Sequence, residues 1–227
     1  MGWGSILKKI RLCLFDCDGT LIDSQHAIVS AMAAAWRREG LAAPEPHRVR
    51  RVVGLSLLEA VARLLPEGDP ALHHGLAEHY KEAFAIERRA GLHGEPVFPG
   101  VREVLEELER AGVLMGVATG KSMRGLAAVL ERHDLGRFFV TLQTADFGPG
   151  KPDPDMIFRA LAEAGGEAGT TVMIGDTVYD IEMALRAGAG AIGVSWGYHE
   201  PEELLAAGAH AVVDSAEELL AAIRMLL

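Results

Sequence analysis

Short apolar runs that alternate with helical patterns constrain this chain more than any other feature. The first run, Ile10-Arg11-Leu12-Cys13-Leu14-Phe15, shows no apolar–polar alternation from Leu12 to Phe15. A continuous run of this kind suits a central strand covered on both faces. Beyond Pro99-Gly100 the pattern repeats. A helix is expected over Val101 to Ala111, a strand over Val113 to Ala118, and a helix over 123–133. A strand near Phe138 to Leu142 and a helix over 155–164 come next. The strand Thr171 to Ile174, a helix over 178–187 and the strand Ala191 to Val194 follow. Ala211-Val212-Val213 and a last helix from Ser215 close the chain. Strands alternating with helices imply βαβ units and a Rossmann-like α/β core built on a doubly wound parallel sheet.

Residues 24–93 break this rhythm, because they carry helix signals and almost no strand signal. One helix runs from about Ser24 to Glu39, with Gly40 as its stop. Ser56-Leu57-Leu58-Glu59 is a capping-box pattern that opens a helix ended by Pro66. Another runs from Pro70 to Ala90, stopped by Gly91. The expected organisation is therefore a core of residues 1–23 and 94–227, with an all-helical insertion, 24–93, after the first strand.

Charge and cysteine content narrow the partners. Lysine plus arginine is 22 against 32 aspartate plus glutamate, a net charge of −10. That balance argues against a general nucleic-acid binder, which needs a basic face to displace counterions, and against an anionic membrane surface. The longest candidate membrane stretch, Ala27 to Trp36, is interrupted by Ser30 and is half the ~20 residues a span needs. Lys8 and Lys9 precede an apolar run that ends at Asp16 with no cleavage pattern, so no secretory signal is read. Met1-Gly2 is followed at position 6 by Ile rather than Ser or Thr, so the myristoylation pattern fails. Cys13 and Cys17 are too few for a disulfide framework and read as buried small hydrophobes. A cytoplasmic setting is the expectation, and both a monomer and a homodimer stay open.

Ligands of open parallel sheets bind beyond the carboxyl ends of the strands. The residues there are Asp16 and Asp18 after the first strand and Thr119-Gly120-Lys121 after the second. Lys151 lies in the loop after the third, and Gly175-Asp176-Thr177 follows the fourth with Asp180 four residues on. Converging carboxylates are costly: two unit charges about 5 Å apart repel by roughly 3 kcal/mol at an effective dielectric of 20. Either some are protonated or a cation sits among them, and hard oxygen ligands suit Mg²⁺. A magnesium ion shares its shell readily with a phosphate, and the lysine supplies a second positive charge for the same anion.

At these residues the chain resembles the haloacid dehalogenase superfamily of phosphohydrolases. Asp16-Cys17-Asp18-Gly19-Thr20-Leu21-Ile22-Asp23-Ser24 looks like its first signature, and Thr119 in Val117-Ala118-Thr119-Gly120-Lys121 matches the second. Lys151 in Gly150-Lys151-Pro152-Asp153-Pro154-Asp155 matches the third, and Gly175-Asp176-Thr177-Val178-Tyr179-Asp180 the fourth. The order and spacing agree over essentially the whole chain; Cys17 stands where an aliphatic residue is usual. The resemblance implies that Asp16 is the nucleophile and forms an aspartyl-phosphate. Asp18 would act as acid and then base. Thr119, Gly120 and nearby N–H groups would hold phosphate oxygens, with Lys151 neutralising charge. Mg²⁺ would be held by Asp16, the backbone carbonyl of Asp18, and Asp176, with Asp180 helping.

The same resemblance makes 24–93 a cap domain of the kind found in phosphoglycolate phosphatases, β-phosphoglucomutases, phosphonoacetaldehyde hydrolases and haloacid dehalogenases. Asp18 disfavours dehalogenation. The only lysine in the insertion, Lys81, sits in a polar helix, which disfavours Schiff-base chemistry. Val194-Ser195-Trp196-Gly197-Tyr198 and Gly208 to Asp214 look like phosphoglycolate phosphatases. The expectation is an Mg²⁺-dependent phosphatase acting on a small phosphorylated metabolite. A mutase, a pyrophosphatase and a receiver-type phospho-acceptor domain are the alternatives, the last about half this length and without the insertion.

Other residues are read more plainly. Thr119 could cap the next helix, and Asp176 with Asp180 could do the same for theirs. Lys121 is read as solvated. His73, His74 and His79 lack the i, i+4 ligand spacing and suit a surface helix. Arg48, Arg50 and Arg51 are read as a solvated helix face rather than a site for a substrate's anionic tail. Gly54-Leu55-Ser56-Leu57 is either a substrate-facing loop or an ordinary helix start.

Overall fold

The structure, a computed structural model, describes residues 11–226. The readings at Met1-Gly2, Ile6, Lys8, Lys9 and Ile10 lie outside the described residues. Six strands form one parallel sheet: β1 (Leu12–Phe15), β2 (Leu114–Thr119), β3 (Thr141–Thr144), β4 (Thr171–Gly175), β5 (Gly190–Val194) and β6 (Ala211–Val213). Their order in space is β3-β2-β1-β4-β5-β6. Four helices lie between β1 and β2: α1 (Gln25–Arg38), α2 (Pro46–Arg50), α3 (Leu57–Leu64) and α4 (Pro70–Ala90). A fifth, α5 (Val101–Arg110), leads into β2, and α6 (Met123–Arg132) follows it. The remainder are α7 (Asp155–Ala164), α8 (Val178–Ala187), α9 (Pro201–Ala206) and α10 (Ala216–Arg224).

The apolar run of β1 has two faces to fill. Cys13 and Phe15 join the apolar cluster of α5, α6 and α10, whereas Leu12 and Leu14 join that of α7 and α8. All four side chains are buried. Phe15 stands opposite Val117 of β2 and Ile174 of β4, so β1 lies where the strand order reverses. The chain fills one side of β1 with β2 and β3, then crosses to the other side for β4 to β6. Asp16, Thr119 and Asp176 consequently emerge side by side at the point where doubly wound sheets bind ligands.

Helices α1–α4 have an apolar cluster of their own, with Ile28, Met32, Trp36, Val61, Leu64 and Leu76 at its centre. The chain leaves the core and returns along adjacent paths. Ile22 bridges Val97 in antiparallel fashion, Asp23 N–H donates to the Pro96 carbonyl at 2.9 Å, and Phe98 N–H to that of Leu21 at 3.0 Å.

Three sequence expectations need correction. The strand expected near Phe138 to Leu142 lies at Thr141–Thr144, and Phe138 closes a 3₁₀ turn with its ring buried in the core. The apolar signal there reports packing, not extended chain. The Ser56 capping box is half formed: Ser56 Oγ accepts from Glu59 N–H at 3.4 Å, but the Glu59 carboxylate pairs with Arg63 at 2.8 Å. Helix α9 was not expected, and α2 had its arginines but no bounds. Each begins with proline and lasts five or six residues, too short for a periodic signal.

Candidate active site

Asp16, the first residue past β1, is buried. Its Oδ1 accepts from Cys17 N–H at 2.7 Å and pairs with Lys151 Nζ at 2.8 Å, while its Oδ2 is buried without a partner. Asp176, the first residue past β4, accepts from Thr20 Oγ at 2.8 Å and from Tyr198 N–H at 2.9 Å. Asp180 lies in the first turn of α8. Its Oδ1 pairs with Lys151 Nζ at 2.6 Å, and its Oδ2 accepts from the Thr177 N–H and hydroxyl at 3.1 and 2.7 Å. Asp180 thus completes a capping box and serves the site at once. One oxygen from each of these three aspartates lies within 4.8 Å of the other two.

The approach is close enough to dictate the neighbouring residue. A Cβ on Gly19 would stand 2.3 Å from Asp176 Oδ2, and its φ of +92° is left-handed, so glycine is required on both counts.

Electrostatics follow from burial. Desolvation pushes the Asp16 carboxyl up to about 6; Asp180 and Asp18 add to this and Lys151 opposes it. Burial, then the charges of Asp16 and Asp180, hold Asp176 well above the ordinary carboxylate range. For Lys151 burial works against the charge, but Asp16 and Asp180 outweigh it and keep the ammonium firmly protonated. Three carboxylates against one ammonium leave a charge of −2 when all are ionised. A divalent cation would relieve it, and the clustered oxygens of Asp16, Asp176 and Asp180 are placed to share one. The all-oxygen donor set fits Mg²⁺.

Asp18 stands apart from this trio. Its Oδ1 accepts from Ser24 Oγ, and both of its oxygens pair with Lys121 Nζ at 2.8 and 3.0 Å. Lys121 is therefore not solvated as expected, since its side chain is only 8% exposed. Glu95, buried on the return path from the helical block, draws it in from 3.8 Å. Glu95 also takes a two-pronged contact from Arg88 of α4 at 2.7 and 2.8 Å. Neither Glu95 nor Arg88 stands in a motif or at a strand end, and their pairing comes from packing across a bend.

Thr119, at the end of β2, is buried and its hydroxyl accepts from Lys121 N–H at 3.2 Å. It does not cap α6; Ser122 does, accepting from Gly125 N–H at 3.3 Å. Gly120 lies beneath the carbonyls of Gly54 and Leu55, where a Cβ would come within 2.3 Å of the Leu55 oxygen. The Gly54 to Leu57 segment is thus both a lining of the site and the start of α3.

A cavity of about 770 Å³ opens from Asp16, Asp18 and Thr119 between the helical block and the core. Arg48, Arg50 and Arg51 do not line it. Arg51 forms an ion pair with Glu203, and Arg48 donates to the Leu64 carbonyl at 3.4 Å. Lys81, Arg88, Arg89 and Arg124 line it instead. Lys81 pairs with Glu78 at 2.7 Å on the surface, so it is not a desolvated amine. His73 contacts the Leu65 carbonyl at 2.8 Å and His79 contacts Glu39 at 3.0 Å, and these histidines form no metal-ligating group among the described residues. Cys13 and Cys17 are free and buried in the apolar core.

The carboxyl edge of a doubly wound sheet thus gathers three carboxylates, a buried lysine and a threonine. The family model for haloacid dehalogenase-like hydrolases matches residues 13–194, and the chain belongs to that family. It is 36% identical over 219 residues to the "Probable phosphatase IndB" of Dickeya dadantii, covering 95% of this chain and 94% of that one. It is 31% identical over 218 residues to the phosphoglycolate phosphatase of Vibrio parahaemolyticus, covering 94% and 96%. A crystal structure of a hydrolase from Pseudomonas syringae superposes with a TM-score of 0.84 at 27% identity, covering 95% of this chain and 98% of that one. The protein is thus a phosphatase-type member of its family. Among the described residues no helix is long and apolar enough to cross a membrane.

Proposed function

We propose that this protein is an Mg²⁺-dependent phosphatase that hydrolyses a small phosphomonoester through a phosphorylated Asp16. The observation that carries this reading is the buried, unpartnered Asp16 Oδ2 beside an Oδ1 that Lys151 already holds. One oxygen is anchored and the other is free to attack phosphorus. The P–O bond to the ester oxygen breaks as the new bond forms, and Asp18 gives the leaving oxygen its proton. Asp18 then takes a proton from water, which attacks phosphorus and releases inorganic phosphate from Asp16. The ion pair with Lys121 suits this second half, in which Asp18 is a carboxylate. Thr119 and Gly120 bind phosphate oxygens, and Lys151 offsets charge on Asp16 and the phosphoryl group. Asp16, the Asp18 carbonyl, Asp176 and Asp180 would hold Mg²⁺, which when bound neutralises charge on the phosphoryl oxygens.

In this reading α1–α4, residues 24–93, form a cap domain over the core of 1–23 and 94–227, and the paired stretches around Ile22 and Val97 are its joints. The partner is a small phosphorylated metabolite, and the names of the relatives make phosphoglycolate the first to test. Two free buried cysteines suit a reducing cytoplasm, and a monomer or homodimer would both serve. The test is phosphate release with Mg²⁺ and with excess EDTA. Release should cease in EDTA and return with Mg²⁺. Asp176→Asn should raise the Mg²⁺ concentration for half-maximal rate at least about tenfold. Undiminished release in EDTA would contradict the reading.

A further inference from the structure

The cavity is much larger than the phosphate site at its floor. A two-carbon phosphate ester such as phosphoglycolate has about nine heavy atoms. Even at ~30 Å³ each, the share of a water molecule in the liquid, it fills only ~270 Å³ of about 770 Å³. The rest of the space has a distinct chemistry. Val53 and Leu57, both partly exposed, form one wall, with Ile28, Met32, Val49 and Val52 buried behind them in the cluster of the helical block. Tyr80 and Phe84 of α4 line it as well.

Charges near the cavity are mostly committed elsewhere. Arg88 is held by Glu95, Lys121 by Asp18 and Lys81 by Glu78. Arg89 and Arg124 are exposed side chains that make no ion pair among the described residues. In a chain of net charge −10 they attract the phosphate dianion toward the cavity without being its final seat. Between the phosphate floor and these arginines the walls offer apolar surface. Apolar walls with a few polar groups at one end are how pockets hold ring-sized ligands. Alanines at 85 in α4 and 128 in α6 line the same space, and any larger side chain there would reduce it.

We propose that the leaving group of the substrate is a ring-sized body with an apolar face, seated between the core and the face that α4 and the start of α3 turn toward it, rather than a two-carbon acid. This rests on the phosphatase reading and adds the substrate class. The test compares 2-naphthylmethyl phosphate with phosphoglycolate. Both are esters of primary alcohols, so leaving-group acidity does not decide the result. The expected outcome is a kcat/KM at least about tenfold higher for the naphthylmethyl ester. Ala85→Trp and Ala128→Trp, shown to be folded by circular dichroism, should each lower that ratio at least about tenfold. Preference of the wild type for phosphoglycolate would overturn the proposal, whether or not the variants fold. So would an unchanged ratio in both folded variants. Release of phosphate from neither ester would instead contradict the phosphatase reading beneath it.

Discussion

Lys121 and Glu95 show what a single residue owes to its surroundings. From the sequence Lys121 is one more charged side chain after a strand; in the fold it is buried against Asp18 and Glu95. Asp16, Asp18, Thr119, Lys151, Asp176 and Asp180 were legible because each follows a strand or opens a helix, and topology alone gathers them. The Asp18–Lys121–Glu95–Arg88 chain was not, because it depends on packing between α4, the return path and β2. Glu95→Gln tests that chain. It leaves the Arg88 cation without its buried counter-charge and Lys121 with Asp18 alone, which should cost about 3 kcal/mol. For a chain of this length that is a fall in Tm of roughly 10 °C. An unchanged Tm would show that the chain contributes nothing to stability.

At the scale of elements, long periodic helices were read closely. Expected and observed bounds agree for α4 (Pro70–Ala90), α7 (Asp155–Ala164) and α8 (Val178–Ala187). The two short proline-led helices escaped bounds because too few residues carry a period, yet they join the helical block to the core. Arg51, at the end of α2, forms an ion pair with Glu203 of α9, and its carbonyl accepts from Tyr179 Oη at 3.0 Å. The hydrogen bond from Arg51 brings the Glu203 carboxyl down to about 2. A lowered carboxylate adds stability above its unfolded value of about 4.3 and loses it as pH falls toward about 2. Both side chains are substantially exposed, so the pair is worth no more than about 1 kcal/mol. Arg51→Ala should therefore destabilise in urea at pH 7, with a deficit that shrinks steadily below about pH 4.3. A deficit that stays constant or grows toward acid would contradict this.

For the whole molecule, sheet order and charge act together. The reversal at β1 gathers carboxylates that a net-acidic chain would otherwise keep apart. Lys151, and in the proposed function Mg²⁺, make the gathering tolerable. The helical block then closes over the one edge of the sheet where that chemistry lies, leaving a cavity whose floor is polar and whose walls join apolar side chains to a few basic ones. The composition expected an acidic protein with no appetite for polyanions; the proposed function reconciles this with affinity for one small dianion. The central claim is that Asp16 attacks phosphorus, and steady-state phosphate release by Asp16→Asn tests it most directly. Release should fall at least about 1,000-fold. Tm should stay at or above that of the wild type, because one of three crowded carboxylates is gone. Release within about tenfold of the wild type would contradict the account.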